Sequence, residues 1–231
     1  MCRRRTNGKR FIEIVEELKT SGKWMVPPGC KKIDIFLVGG GAGGGTSGGG
    51  GGYTQSFYDI KVTPGGSISY LIGTGGNGVL PYAGGTRGGT TSFGQYSVEG
   101  GYGSSDYEYY ANGGKGGSGG GGYGNTSSQR PSNGGSDGGN AFNTQYLGGK
   151  GQGTTTRCPF NKKLYAGGGA GGSGNLRYIA KGGDGGGADT LKSAASNTGG
   201  GGGGGFDDTT KGFTKGGIGG SGIIVLYYFK K

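Results

Sequence analysis

No histidine occurs in the 231 residues, and the three cysteines, Cys2, Cys30 and Cys158, include no Cys-x-x-Cys pair. Zinc held by imidazole and thiolate, and nucleophilic catalysis through a histidine base, therefore have no residues to work with. The carboxylates are scattered, and no cofactor or metal is implied. Gly39-x-Gly41-x-x-Gly44 follows an apolar run and has Asp59 downstream, the outline of a dinucleotide fingerprint. More glycine follows it, however, rather than a helix whose N-terminus would hold pyrophosphate. No phosphate-binding loop is present either, because Lys115 and Lys150 are each followed by glycine. What remains is recognition chemistry: 15 tyrosines and 9 phenylalanines, large rings that bind without making or breaking bonds. The expectation is a non-enzymatic protein. At most Cys30 pairs with Cys158, free thiols being the default.

The elements that must position these rings are unusual, because 69 residues are glycine and only 29% are apolar. An ordinary core can serve only part of such a chain. Collagen is excluded by the lack of a Gly-X-Y period and by only 6 prolines. Ordering a glycine costs roughly 0.5–1 kcal/mol more than ordering an alanine, so a folded glycine tract needs a repetitive offset. Packed polyglycine II helices supply one, since bare backbones with three residues per turn can hydrogen-bond to several neighbours at once. Order is also implied by two apolar brackets. Ile33-Asp34-Ile35-Phe36-Leu37-Val38 runs directly into the first glycines, and Ile223-Ile224-Val225-Leu226-Tyr227-Tyr228 directly follows the last.

Residues 11–18 fit a helix by their i, i+3, i+4, i+7 spacing and a strand by their β-branched content, and periodicity alone does not decide. Read as a strand, they lead through a Thr20-Ser21-Gly22 turn to a short strand at 23–26, and Pro27-Pro28-Gly29 turns into 33–38, together a β-meander. Residues 53–62 and 67–72 read as a hairpin about Thr63-Pro64-Gly65-Gly66, followed by a short strand at 90–93. The predicted fold is all-β: a small β-sandwich from 23–99 plus 223–229, with an appended bundle of packed polyglycine II helices, mainly 100–222 with 39–52 and 73–89. Residues 1–22 form an N-terminal arm or strand, and 23–231 the glycine-rich domain. Trp24 and Phe36 are core. Residues 11–18 hold three glutamates and are too broken for a signal core, and no run approaches the roughly 18 apolar residues of a membrane span, so no membrane insertion is expected.

The formal charge is +11, which favours an anionic partner, although Arg3, Arg4, Arg5, Lys9, Arg10, Lys230 and Lys231 are terminal and read equally well as solvated ends. Arg3, Arg4 and Arg5 are also the candidate docking segment. Nucleic-acid binding by a disordered Arg/Gly/Tyr tract is the weaker alternative, since Arg-Gly-Gly occurs only at Arg87-Gly88-Gly89 and strands have no place in such a tract.

Lys23-Trp24-Met25-Val26-Pro27-Pro28-Gly29, the run 33–38 into Gly39-Gly40-Gly41, Val62-Thr63-Pro64-Gly65, Ile72-Gly73-Thr74-Gly75-Gly76, Gly89-Thr90-Thr91-Ser92-Phe93-Gly94 and Gly219-Gly220-Ser221-Gly222-Ile223 resemble the glycine-rich domain of bacteriophage tail and fibre proteins. The resemblance covers roughly residues 20–228. It implies a virion component, a tail-fibre or adhesin-type protein with a recognition role, made in the host cytoplasm. It also implies as partners a bacterial surface polysaccharide or outer-membrane protein and other virion proteins, and a homo-oligomer, a trimer by analogy. A purely structural decoration or fibre subunit, acting as a stiff spacer, needs the same framework.

If each glycine run crosses the lattice once, successive loops emerge at alternate ends. Starting from the bracket at 33–38, the far-end loops are 79–83, 104–112, 140–147, 175–181 and 206–215, and the near-end loops 123–133, 154–166 and 188–198. The far end then carries the candidate ligand-binding residues Tyr82, Tyr107, Tyr109, Tyr110, Phe142, Tyr146, Arg177, Tyr178 and Phe206, with Phe213 beside them. A lattice of bare backbone offers no side chains, so its end loops must supply recognition. The same rings equally suit capping of the lattice end.

Overall fold

The computed structural model describes residues 3–6, 9–104, 112–125, 128–129, 156–172, 179–208 and 212–230, and among these the regular elements are all β. They run β1 (Arg3–Thr6), β2 (Lys9–Leu18), β3 (Gly22–Met25), β4 (Lys32–Val38), β5 (Thr54–Lys61), β6 (Ser67–Leu71), β7 (Thr91–Phe93) and β8 (Tyr96–Val98). Two short hairpins follow, β9 (Gly124–Asn125) with β10 (Ser128–Gln129) and β11 (Phe206–Asp208) with β12 (Gly212–Thr214), before β13 (Ile223–Lys230) closes the chain. No helix of the described residues is long and apolar enough to cross a membrane.

The two brackets are neighbours. One sheet has the order β1-β2-β13-β4-β5, and β13 pairs antiparallel with β4, Ile223 opposite Val38, and with β2, Ile224 opposite Leu18. A second sheet, β3-β6-β7-β8, covers one face of the first, so the expected small sandwich is present. Between them Trp24 meets Tyr228 edge-on at 5.4 Å and Phe93 at 6.0 Å, over a floor that includes Ile35, Leu37, Ile224 and Leu226. Trp24 Nε1 and the Tyr228 hydroxyl both donate to Glu16 Oε2, at 3.1 and 2.9 Å. Burial and that bond push the Tyr228 phenol above its ordinary range.

The opposite face carries Phe36, Val38, Ile223 and Val225, and residues 156–166 close over it with Cys158, Phe160, Tyr165 and Ala166. Burial on both faces is why each bracket, Asp34 apart, reads as an apolar run rather than an alternating one. Glu17 fastens this covering segment: its Oε1 accepts from Lys163 Nζ at 2.7 Å and Asn161 Nδ2 at 3.0 Å. The Lys163 bond holds the Glu17 carboxyl below its ordinary value of 4.5, against the opposing effect of burial. A depressed carboxyl stabilises the fold above the unfolded value and stops doing so as pH falls through the folded one. Melting temperature should therefore fall on acidification below about pH 4.5. Glu17→Gln should flatten that dependence and cost about 2–4 °C at neutral pH, the shift that ~1 kcal/mol makes in a domain of this size. Thermal melts of both proteins across that range check this.

The glycine tract is a lattice, and its hydrogen bonds have a period of three. In the central run 39–45, the N–H groups of Gly39, Ala42 and Gly45 donate to Tyr53, Gly50 and Ser47. Those of Gly40 and Gly43 donate to Gly89 and Thr86, and those of Gly41 and Gly44 to Gly220 and Gly217. Its carbonyls accept from three further runs, Gly41 and Gly44 from Gly76 and Val79, Ala42 and Gly45 from Gly202 and Gly205, and Gly40 from Gly101. These bonds span 2.6–3.0 Å. A helix of three residues per turn aims every third N–H at the same neighbour, which is the polyglycine II pattern, here with a rod surrounded by others on all sides. The next run repeats it: Gly48 and Gly51 donate to Gly121 and Ser118, Gly49 and Gly52 to Gly202 and Gly199, and Gly50 to Tyr102.

Two sequence expectations are corrected, the meander and the hairpin. Residues 11–38 are not a meander: β3 pairs with β6 in the second sheet, and β13 takes the place between β2 and β4. Only a strand apolar on both faces fits that central position, and Trp24 must face inward from the covering sheet. Nor do β5 and β6 form a hairpin, since β5 pairs with β4 and β6 with β3 and β7. The Gly65 turn between them instead bonds to Val26, whose N–H donates to Gly66 and whose carbonyl accepts from Gly65. Cys30 and Cys158 are both free and buried, one on each face of the first sheet, so they do not pair. Gly39, Gly41 and Gly44 of the nucleotide-like spacing sit inside the lattice, where a Cβ on each would lie 2.0–2.1 Å from the carbonyl oxygens of Glu99, Gly200 and Gly203.

Candidate recognition site at the distal end of the lattice

The run 39–45 leaves β4, turns at Thr46 and Ser47, and comes back antiparallel as 48–52 to reach β5, which defines a proximal end at the strands and a distal end at Thr46. The turn at 79–83 lies at the distal end, because the Val79 N–H donates to Gly44 and the Tyr82 N–H to Thr46 Oγ1 at 2.7 Å. So does the β11–β12 hairpin, since Gly205 donates to Gly45. Residues 156–166, against Phe36 and Val225, are proximal. All three positions agree with one crossing per run.

Two stretches do not. Residues 113–122 hold a turn at 116–118: Gly114 donates to Gly48, Gly117 to Gly51 near the strands, and Gly121 accepts from Gly48 again. Tyr123 is therefore distal and buried, not proximal. Likewise 188–198 is no proximal loop. Residues 187–190 run outward beside 201–203, turn at Thr190 and Leu191 opposite Gly171 and Gly204, and 192–198 return to Ser221. The turn at Gly116, Gly117 and Ser118, inside a glycine run, has no side-chain pattern to announce it.

Of the predicted ligand-binding residues, Tyr82 is placed where expected. Its φ of 70° is a left-handed conformation that costs a non-glycine residue about 1–2 kcal/mol, and the Thr46 hydroxyl holds it there. Its ring meets Phe213 edge-on at 5.6 Å. Phe206 opens β11 opposite Thr214 of β12. Tyr107, Tyr109, Tyr110, Phe142, Tyr146, Arg177 and Tyr178 lie outside the described residues. Arg3, Arg4 and Arg5 form β1, in register with Ile12, Phe11 and Arg10 of β2.

The structure adds aliphatic residues that a search for aromatics alone passed over. Leu80, in the same turn as Tyr82, is 46% exposed, and Ile179 at the outer end of its run is 62% exposed; they join Phe213, which is 54% exposed. Behind Ile179, Thr190 Oγ1 accepts from Ala180 N and donates to Gly171 O at 2.7 Å, and Asp189 accepts from Lys181 and Lys192 at 3.0 and 3.4 Å. Burial opposes ionisation of Asp189, but those two lysines and the Gly182 N–H hold its carboxyl below the usual range. The distal surface thus has apolar contacts on a hydrogen-bonded base, with Lys181 and Lys192 sharing the Asp189 carboxylate.

On the lattice flank, Arg87 lies 4.1 Å over the Tyr102 ring and 2.6 Å from Glu99, and this group pairs internally rather than projecting. No curated protein matches the chain. A family model described as a glycine-rich domain matches residues 17–229, from the end of β2 through nearly all of β13 and so across both sheets and the lattice. The chain therefore belongs to the glycine-rich domain family.

Proposed function

We propose that the protein is a non-enzymatic recognition module, a virion structural protein of tail-fibre or adhesin type whose distal end contacts a bacterial surface polysaccharide or outer-membrane protein. The observation that supports this reading is the distal surface: Leu80, Ile179 and Phe213 expose apolar side chains, and Tyr82 meets Phe213, at the end of a rigid backbone lattice away from both brackets. Exposed apolar side chains on pre-ordered turns bind with little further loss of entropy. Several copies on one particle, a trimer by the family resemblance, would raise weak contacts by about 10²–10⁴.

The alternative is a stiff virion spacer in which these rings only cap the lattice, and the contact of Tyr82 with Phe213 over the Gly205 end favours it. Phe213→Ser and Tyr82→Gly separate the two. The second removes a ring while relieving the strained φ. On an array of bacterial lipopolysaccharides and capsular polysaccharides, recognition predicts signals for the parent protein that drop about tenfold in both variants with no fall in melting temperature. A fall in melting temperature with unchanged array signals would favour the spacer.

A further inference from the structure

The proximal end carries a second surface. An open cleft of about 410 Å³ lies between Phe11 of β2 and Phe229 of β13, bordered by Gly29, Lys31 and Lys32. Both rings are half-buried and both lysines exposed. Lys32 is paired with Asp59 at 2.7 Å, whereas Lys31 has no ion pair among the described residues. The cleft opens onto a strip of rings on the same sheet face. Phe229 meets Tyr227 edge-on at 5.6 Å, Tyr227 stacks on Phe160 at 5.2 Å, and Phe160 meets Tyr58 at 6.2 Å. Beyond Phe11 is β1, the outermost strand of the sheet among the described residues, with Arg4 opposite Phe11 in the register.

Charge complementarity decides the occupant. Three consecutive arginines on an outer strand oppose pairing with a second copy of the same strand and favour one rich in carboxylates. The aromatic cleft one strand further in has room for one large side chain of such a segment, with Lys31 at its rim. A free anion would use the lysine but leave the rings and the strand edge unmatched. We propose that this end of the sheet binds an acidic segment of a partner protein, which lies alongside β1 and inserts an aromatic or aliphatic side chain between Phe11 and Phe229. The proposal does not depend on what the distal end binds.

The test uses the full chain and three fluorescein-labelled probes: a random glutamate–tyrosine copolymer, polyglutamate and polygalacturonate, read by anisotropy. The copolymer is expected to bind about tenfold more tightly than polyglutamate, because only it can fill the cleft. Lys31→Glu should weaken copolymer binding about fivefold without changing the melting temperature. Phe11→Ser should bring the copolymer down to the polyglutamate level. Equal affinity for copolymer and polyglutamate would overturn the proposal in favour of a diffuse basic surface. Tighter binding of polygalacturonate would overturn it in favour of an acidic glycan. Failure of the copolymer to bind, or an unchanged affinity in Lys31→Glu, would also overturn it.

Discussion

Gly41→Ala is expected to abolish the cooperative melt of the whole protein. Its Cβ would lie 2.0 Å from the Gly200 carbonyl oxygen and 2.4 Å from its carbon. Overpacking a core costs typically about 1–3 kcal/mol because side chains can shift; here every neighbour is backbone, tied by its own hydrogen bonds, so the cost should exceed about 4 kcal/mol. Gly41 donates to Gly220 and accepts from Gly76, so moving Gly200 aside disturbs runs that also bond one another. Gly65→Ala is the control. Gly65 has a φ of 78° but nothing within 4 Å of a built Cβ, and the substitution should cost only the conformational strain, about 1–2 kcal/mol. Circular dichroism melts of both variants decide the matter. If Gly41→Ala melts within a few degrees of the parent, the lattice is looser than its geometry says.

Ending the chain at Gly222 should have an effect as large. The deletion removes β13, which supplies Ile224, Leu226 and Tyr228 to the core between the sheets and Ile223 and Val225 to the core beneath 156–166. It also leaves β2 and β4 with a strand-wide gap, each losing its ladder to β13. Truncating one buried leucine or isoleucine alone costs about 2–5 kcal/mol, and a whole domain is stable by about 5–15 kcal/mol. The shortened protein should show no cooperative transition. Because the lattice returns to β13 through Gly222, which donates to Gly73, its amide protons in 39–52 should also exchange at the rate of an unfolded chain. Retained protection there would mean that the lattice folds without the sandwich.

The burial of β13 was legible in the sequence, while its neighbours were not. Ile223-Ile224-Val225-Leu226 has no polar residue in alternation, and a strand with that pattern is buried on both faces wherever it sits. The same holds for Ile33 to Val38 apart from Asp34, whose carboxylate reaches the Asp59 N–H at 2.7 Å where β4 and β5 slip register. Local patterning does not say which strand lies beside which, and the meander and hairpin read from short connections were both split between two sheets.

By itself the sequence determined that the glycines form an ordered lattice hung between two buried strands. Only glycine lets backbones approach so closely, and only buried strands would close such a tract at both ends. It also placed Tyr82 at the far end, because the runs on either side of it, 73–78 and 84–89, are each about as long as the single crossing 39–45. The tertiary structure alone decided where the lattice segments turn, and so brought Tyr123 to the distal end and carried 188–198 out and back. The physical reason is that polyglycine II hydrogen bonds join segments far apart in the chain and no side chain records them. Each rod's direction is therefore set by the rods around it, and each loop's end of the lattice by the sum of those directions.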